Sequence, residues 1–136
     1  ALLLKRVFYI LKNNVRNKKI CFLGVTFKAN TDDMRDSSSL SMIPSLVRKG
    51  AKVNYYDPTG EKNEFKKIKN VNFSKNIKSA IKDSDLVIIH TEWNDFKTIN
   101  FNKDVSNKKF ILFDMRNIYS PVKMKDLKIN YFGVGH

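Results

Sequence analysis

The stretch DLVIIHT, residues 85–91, contains the clearest buried strand of this 136-residue sequence. Its apolar residues follow one another without polar alternation, which is typical of a strand whose two faces are both covered. KKICFLGV (18–25) and KKFILFD (108–114) show the same pattern. Strands of this kind occur almost only in parallel sheets that carry helices on both sides. The sequence therefore predicts an α/β domain.

Weaker strand patterns and helical patterns alternate along the rest of the chain. Further strands are predicted at AKVNYYDP (51–58), VNF (71–73) and INYFGVG (129–135). Helical patterns occupy residues 2–16, 37–50, 76–83 and 123–128. Pro44 lies inside the second helix and is expected to kink or shorten it, and Asp36 or Ser37 is available as its cap. We expect a Rossmann-like open, mostly parallel sheet with helices on both faces, entered by an N-terminal helix.

The chain is strongly basic, with 26 lysine and arginine residues against 13 acidic residues and a net charge of +13. Such an excess is found in proteins that bind nucleic acids, anionic membranes or anionic substrates. Here 21 of the basic residues are lysines spread along the chain, as AT-rich codon usage would also produce. The sequence shows no motif of a nucleic-acid-binding fold, so the charge alone does not identify a partner.

The composition also excludes several protein classes. A hydrophobic fraction of 42% is too high for intrinsic disorder, and no apolar run approaches the ~20 residues that span a membrane. Cys21 is the single cysteine, so a disulfide framework and a multi-cysteine metal site are ruled out. We expect a protein of a reducing compartment.

Ligands of open parallel sheets bind beyond the carboxyl ends of the strands. Four polar segments follow predicted strands and so qualify: residues 25–36, 57–60, 91–95 and 114–119. They contain Lys28, Arg35 and Arg116, which could hold an anionic group such as a phosphate. The alternative is that these cations pair with aspartates close to them in the sequence, namely Asp32, Asp33, Asp36 or Asp114.

Other candidate residues favour structural roles. Gly24 lacks the second and third glycines of a dinucleotide fingerprint, so a self-contained NAD site is not expected. Asp57 stands where such domains carry a ribose-binding acid, but an Asp-Pro pair is also an ordinary turn, which we favour. His90 is interpreted as a structural hydrogen-bonding residue and Cys21 as a small core residue. We expect no metal site and no catalytic residue in this segment.

Several ordered motifs resemble one known family. GVTFKANTDDMRDSSSL (24–40) closely resembles the signature that opens the C-terminal UDP-binding domain of UDP-glucose 6-dehydrogenases, in the UDP-glucose/GDP-mannose dehydrogenase family. The similarity continues, in the family's order and spacing, through GAKVNYYDP (50–58), DLVIIHTEWNDF (85–96), FILFDMRNIYS (110–120) and YFGVGH (131–136). It implies that residues 18–136 form the UDP-binding domain and that residues 1–17 are the end of the helical region linking it to the rest of the enzyme.

The resemblance implies an NAD-dependent oxidation of UDP-glucose to UDP-glucuronate with two NAD molecules. NAD would be bound mainly by an N-terminal domain, and the nucleophilic cysteine would lie in the middle region; the sequence contains neither, and Cys21 does not match that cysteine. This segment is therefore expected to be inactive alone. A cytoplasmic homodimer at full length is also implied, with UDP-glucose and the missing domains as partners and with no nucleic acid or membrane partner.

Position by position, Phe27 and Lys28 resemble the pair that lines the sugar nucleotide, and Arg116 the arginine that contacts the substrate. Arg35 resembles the arginine that reaches across the domain cleft towards NAD. Met115 departs from the pattern, because the family normally has glycine there, and could crowd the loop. Two alternatives stay open: a UDP-N-acetylhexosamine or GDP-mannose dehydrogenase domain, and a non-enzymatic basic module that binds nucleic acid.

Overall fold

The computed structural model describes residues 2–135 and contains a six-stranded sheet in which every neighbouring pair of strands is parallel. The strands are β1 Lys19–Leu23, β2 Lys52–Tyr56, β3 Val71–Phe73, β4 Leu86–Ile89, β5 Ile111–Asp114 and β6 Asn130–Gly133. Their spatial order is β3-β2-β1-β4-β5-β6. This is the doubly wound dinucleotide-binding order, so the predicted Rossmann-like α/β fold is confirmed.

Helices cover both faces of the sheet, as predicted. They are α1 Leu2–Ile10, α2 Ser39–Arg48, α3 Ile77–Ile81, α4 Phe101–Asp104 and α5 Pro121–Asp126. On one face, α1 and α2 pack against Ile20, Phe22 and Val53. On the other face, α3, α4 and α5 pack against alternate residues of the same strands, such as Cys21 and Leu23. Two separate apolar clusters therefore sandwich the sheet, which explains why β1 and β4 have no polar alternation.

The N-terminal helix is shorter than the sequence pattern predicts. The pattern predicts a helix over residues 2–16, but α1 ends at Ile10 because Lys12 and Asn13 adopt left-handed backbone angles, with φ of 54° and 61°. Val15 is nevertheless buried in the core. The helical pattern over residues 2–16 therefore includes buried positions, Leu11 and Val15, beyond the end of the helix. Within residues 2–135, no helix is long and apolar enough to cross a membrane.

The second helix differs from expectation at its start and at its proline. Asp36 does not cap it and is left-handed (φ 60°), whereas the Ser37 hydroxyl accepts from the N–H of Ser39 at 3.3 Å and donates to the carbonyl of Val25. Ser38 precedes the first helical residue without a side-chain capping bond. Pro44 does not shorten the helix, which continues through it to Arg48. Met42, Ile43 and Leu46 are buried, and we attribute the continuity to this packing.

Candidate functional site

The four segments placed by the sequence at strand ends do lie at one edge of the sheet. Residues 25–36, 57–60, 91–95 and 114–119 follow β1, β2, β4 and β5, which are neighbours and all run in the same direction. We call these segments the β1, β2, β4 and β5 loops, and this side of the sheet its carboxyl edge. The topology therefore brings all three candidate cations, which are far apart in the sequence, to the same edge.

Arg116 connects the β5 loop to the β1 loop and to His90, the residue just before the β4 loop. Its backbone N–H donates to Oδ1 of Asp114 at 3.2 Å, and its guanidinium donates from Nε to the His90 carbonyl at 3.0 Å and from NH2 to the Phe27 carbonyl at 3.3 Å. A guanidinium has five N–H donors, so these two bonds leave three uncommitted. The side chain is exposed, and its orientation is fixed by backbone carbonyls rather than by a carboxylate. Arg116 is thus a preoriented cation with free donors.

Phe27 and Lys28 stand on the β1 loop beside Arg116. The Phe27 side chain is 46% exposed although it is large and apolar, and its N–H donates to the carbonyl of Asp33 at 2.9 Å. Lys28 is exposed, and its carbonyl accepts a hydrogen bond from the Thr26 hydroxyl at 2.9 Å. Within residues 2–135, neither Lys28 nor Arg116 forms an ion pair. Their positive charges are therefore available to an anion.

Arg35 pairs with a nearby aspartate, which is the alternative that the sequence left open. Its Nε and NH2 donate to the two carboxylate oxygens of Asp33, each at 3.0 Å, in a bidentate ion pair. The hydrogen bonds from Arg35 are the main cause that lowers the pKa of Asp33, and they raise the pKa of Arg35 in turn. The arginine side chain is 89% exposed. Such surface pairs contribute little to stability, so Arg35 can leave Asp33 at low cost.

The β1 loop is held at its start by buried polar bonds. Val25 N–H donates to Oδ2 of Asp57 at 2.8 Å, and the Val25 carbonyl accepts from the hydroxyls of Ser37 and Ser39, each at 2.6 Å. The other Asp57 oxygen accepts from both the N–H and the hydroxyl of Thr59. Asp57 therefore forms the turn that we favoured. The bonds from Ser37 and Ser39 to the Val25 carbonyl could not be predicted, since hydroxyls so close to a helix start are expected to be caps.

The crevice beyond β1 does not fit the pyrophosphate of NAD. Gly24 is left-handed, with φ of +79°, and a Cβ built there would lie 2.6 Å from Cβ of Thr91. The Thr91 side chain therefore fills the space beside the one glycine of the loop. Both oxygens of Asp57 are already engaged, so this acid is not available to a ribose. Neither Gly24 nor Asp57 therefore offers a contact to the pyrophosphate or the ribose of NAD.

His90 links the β4 loop to the start of α2. Its Nε2 lies 2.8 Å from the Ser38 hydroxyl, and its Nδ1 lies 3.2 Å from the Thr91 hydroxyl, which donates to the Thr26 carbonyl. Because the single Thr91 proton is used on Thr26, Nδ1 must carry the ring proton and Nε2 must accept from Ser38. Burial, and then the charge of Arg116, lower the pKa of His90 to about 4. His90 is thus a neutral structural residue, as the sequence predicted.

Asp114 is occupied by backbone and tyrosine donors. This fully buried carboxylate accepts from Tyr119 N–H at 3.0 Å and from the Tyr131 hydroxyl at 2.8 Å, so it does not pair with the Arg116 guanidinium. Burial, and then Asp114, raise the pKa of both tyrosines.

Met115 does not crowd the loop, because it packs half-buried against the core and its φ is not positive.

The remaining chemical candidates have no catalytic geometry. Cys21 is fully buried in β1, and burial raises the pKa of its thiol, so it is the core residue that the sequence predicted. Among the residues that the structure describes, no cluster of histidine, cysteine, aspartate and glutamate could hold a metal ion.

Comparison with known proteins gives the same assignment as the motifs. Residues 21–121 match the model of the UDP binding domain of the UDP-glucose/GDP-mannose dehydrogenase family. The chain belongs to this family. It is 36% identical over 132 residues to the UDP-glucose 6-dehydrogenase of Rhizobium meliloti (strain 1021), covering 96% of this chain and 30% of that protein. It is 35% identical over 139 residues to the UDP-glucose 6-dehydrogenase of Rickettsia bellii (strain RML369-C), covering 99% and 32%. The domain thus spans about a third of the length of these relatives.

Solved structures support the fold. The domain superposes on the NDP-N-acetyl-D-galactosaminuronic acid dehydrogenase of Methanosarcina mazei Go1 with a TM-score of 0.80 and 19% identity, covering 99% of this chain and 28% of that one. It superposes on the UDP-D-ManNAc dehydrogenase of Pyrococcus horikoshii with a TM-score of 0.70 and 24% identity, covering 98% and 29%. At these identities the likeness concerns the fold alone.

Proposed function

We propose that the domain is the C-terminal UDP-sugar-binding part of an NAD-dependent UDP-glucose 6-dehydrogenase. That enzyme oxidises the C6 hydroxyl of UDP-glucose to the carboxylate of UDP-glucuronate, with water as the oxygen source and two NAD⁺ as hydride acceptors. Residues 1–17 are then the end of the linking helical region, and residues 18–136 are the UDP-binding domain. We further propose a cytoplasmic homodimer at full length. The relatives at 35–36% identity support UDP-glucose as the substrate.

The observation that carries this proposal is the orientation of the Arg116 guanidinium and its free hydrogen-bond donors. Two carbonyls fix its guanidinium in place, and three N–H donors remain uncommitted next to the unpaired Lys28. A preoriented guanidinium loses little conformational freedom when it binds a phosphate, and it can bind two oxygens at once. Lys28 adds a point charge on the β1 loop, one residue after the Phe27 carbonyl that Arg116 contacts. The pair suits a diphosphate, which carries negative charge on two adjacent phosphoryl groups.

Phe27 and Arg35 complete the proposed contacts. The exposed ring of Phe27 offers an apolar surface next to the two cations, and we propose that it packs against the sugar nucleotide. We propose that Arg35 leaves Asp33 to contact NAD, which is bound mainly by the enzyme's N-terminal domain. When bound, NAD accepts the hydrides. The residues of this chain bind and orient the UDP-sugar, and we propose that none of them is a catalytic residue.

UDP binding to this chain tests the proposal by isothermal titration calorimetry. We expect Arg116→Gln and Lys28→Gln each to weaken UDP binding at least tenfold, because each removes a charged contact to the diphosphate. Lys5→Gln removes the same charge from α1 and should leave the affinity unchanged. Equal affinity in the wild type and the two site variants would contradict the proposed contacts. NADH formation by this chain alone with UDP-glucose would contradict its role as a binding domain.

The same titration tests which nucleotide and which sugar the domain prefers. A UDP-N-acetylhexosamine or GDP-mannose dehydrogenase domain would prefer a different ligand, so UDP, UDP-N-acetylglucosamine and GDP should be titrated side by side. We expect UDP to bind more tightly than GDP. A nucleic-acid-binding module would instead bind a short single-stranded DNA with an affinity that falls steeply with salt and is indifferent to UDP.

A further inference from the structure

A polar cavity lies at the opposite end of the strands from Arg116. It has a volume of about 220 Å³ and lies where α3 crosses β1 and β2 near their first residues. Its polar lining comes from Lys19, Lys52, Asn54, Asn72, Ser79 and Asp83. We call this cavity the amino-edge cleft. The function proposed above does not use any of these residues.

Two lysines with no ion pair stand side by side in the cleft. Lys19 and Lys52 are register partners in adjacent parallel strands, and both are exposed. Like charges directly opposite each other destabilise a sheet. Within the described residues neither ammonium has an ion pair, and the nearby Asp85 uses its carboxylate on Lys19 N–H and on Asn107. An anion between the two ammonium groups would convert this repulsion into attraction.

Amide and hydroxyl groups continue the polar surface beyond the lysines. Asn54 and Asn72 are register partners on β2 and β3, and both lie in the lining. Asn54 is half-buried and Asn72 is exposed, so both amides remain accessible beside α3, which is five residues long. Ser84, which is 97% buried, also lines the cleft. The cleft therefore contains several hydrogen-bond donors next to its two cations, together with one carboxylate, Asp83, that can accept from a hydroxyl.

The field around the cleft is also positive. The first residue of each strand and the four residues before it include, over the six strands, twelve basic and three acidic residues. The equivalent windows at the carboxyl ends hold two basic and three acidic residues. Some of these cations lie at helix C-termini, where the helix dipole favours them. Lys19 and Lys52 do not, since they are the first residues of strands. Such an edge attracts anions from solution.

We propose that the amino-edge cleft binds a small phosphate-bearing anion, with Lys19 and Lys52 on the phosphate and with Asn54, Asn72 and Asp83 available to its hydroxyl groups. The volume suits a ligand the size of pyrophosphate or a sugar monophosphate rather than a dinucleotide. Lys19 is the first and Leu23 the last residue of β1, so the two lysines lie four residue steps, about 13 Å, from the carboxyl edge. The site is therefore separate from the proposed UDP site and stands independently of it.

NMR amide-shift titrations of the 136-residue chain test this proposal. The probes are inorganic phosphate, pyrophosphate and ribose 5-phosphate, each added in the presence of saturating UDP so that the carboxyl edge is occupied. We expect saturable shifts at the amides of Lys19, Lys52, Asn72 and Ser84. The sugar phosphate should bind more tightly than phosphate if Asn54, Asn72 and Asp83 contact hydroxyls, and equal affinity would remove that part of the assignment.

A matched pair of double variants supplies the control. Lys19→Gln with Lys52→Gln should weaken pyrophosphate binding at least tenfold, whereas Lys5→Gln with Lys123→Gln removes the same charge elsewhere and should change it less than twofold. The amide spectrum of each variant reports whether it is folded. The proposal is overturned if no probe shifts the cleft amides, if the shifts do not saturate, or if both double variants weaken binding equally.

Discussion

Gly24 leaves no room for a side chain beside Thr91, and this gives a quantitative prediction. In Gly24→Ala, the new Cβ would lie 2.6 Å from Cβ and 2.7 Å from Oγ1 of Thr91, at a φ of +79°. The left-handed backbone costs about 1–2 kcal/mol for a residue with a Cβ, and overpacking adds about 1–3 kcal/mol. We therefore expect the variant to lose about 2–5 kcal/mol of unfolding free energy. Urea unfolding followed by the fluorescence of Trp93, the single tryptophan, measures this loss.

Gly60→Ala is the matched control. Gly60 also has a positive φ, of +95°, but a Cβ there would have no atom within 4 Å. This variant should lose only the backbone contribution of about 1–2 kcal/mol. Gly24→Ala should also weaken UDP binding, because moving Thr91 breaks its bond to the Thr26 carbonyl, one residue before Phe27. If the two variants were equally stable and bound UDP equally, the packing of Thr91 would not hold the β1 loop.

Three further predictions concern single side chains. Asp57→Ala should cost about 1–3 kcal/mol in urea unfolding, because Val25 N–H is left buried without an acceptor, and should weaken UDP binding; an unchanged midpoint would contradict this. The pKa of His90 is about 4 in the folded chain, against 6.5 for an unperturbed histidine. Its contribution to the unfolding free energy is therefore complete above pH 6.5 and falls by roughly 3 kcal/mol as the pH drops towards 4, because the unfolded chain binds the proton first. His90→Gln should abolish that part of the pH dependence of urea unfolding, and an identical slope would refute it. Arg35→Gln should leave the urea midpoint and UDP affinity of this chain unchanged, because its ion pair is exposed; a clear loss of either would contradict that.

The sequence was sufficient for the sheet because the signal is local. A run such as Leu86–Ile89 predicts a buried strand by itself, and alternation with helices predicts parallel pairing. Helix ends were less predictable. The early end of α1 depends on left-handed angles at Lys12 and Asn13, and neither residue type requires them.

The site could be predicted only in part. Its edge followed from topology, and its cations followed from their positions after strands. The hydrogen-bond partners of these cations could not be predicted, because they depend on side-chain orientation. Arg35 bonds to Asp33, whereas Arg116 bonds to the carbonyls of His90 and Phe27. The link from Ser38 through His90 to Thr91 joins residues 52 positions apart and leaves no pattern in the sequence.

The central claim, that the carboxyl edge binds the UDP part of the substrate, is tested most directly by an NMR amide-shift titration of the chain with UDP. We expect saturable shifts concentrated at Phe27, Lys28 and Arg116, weaker shifts with GDP, and loss of the UDP shifts in Arg116→Gln. Shifts that avoid these residues, or that persist at full size in Arg116→Gln, would contradict it.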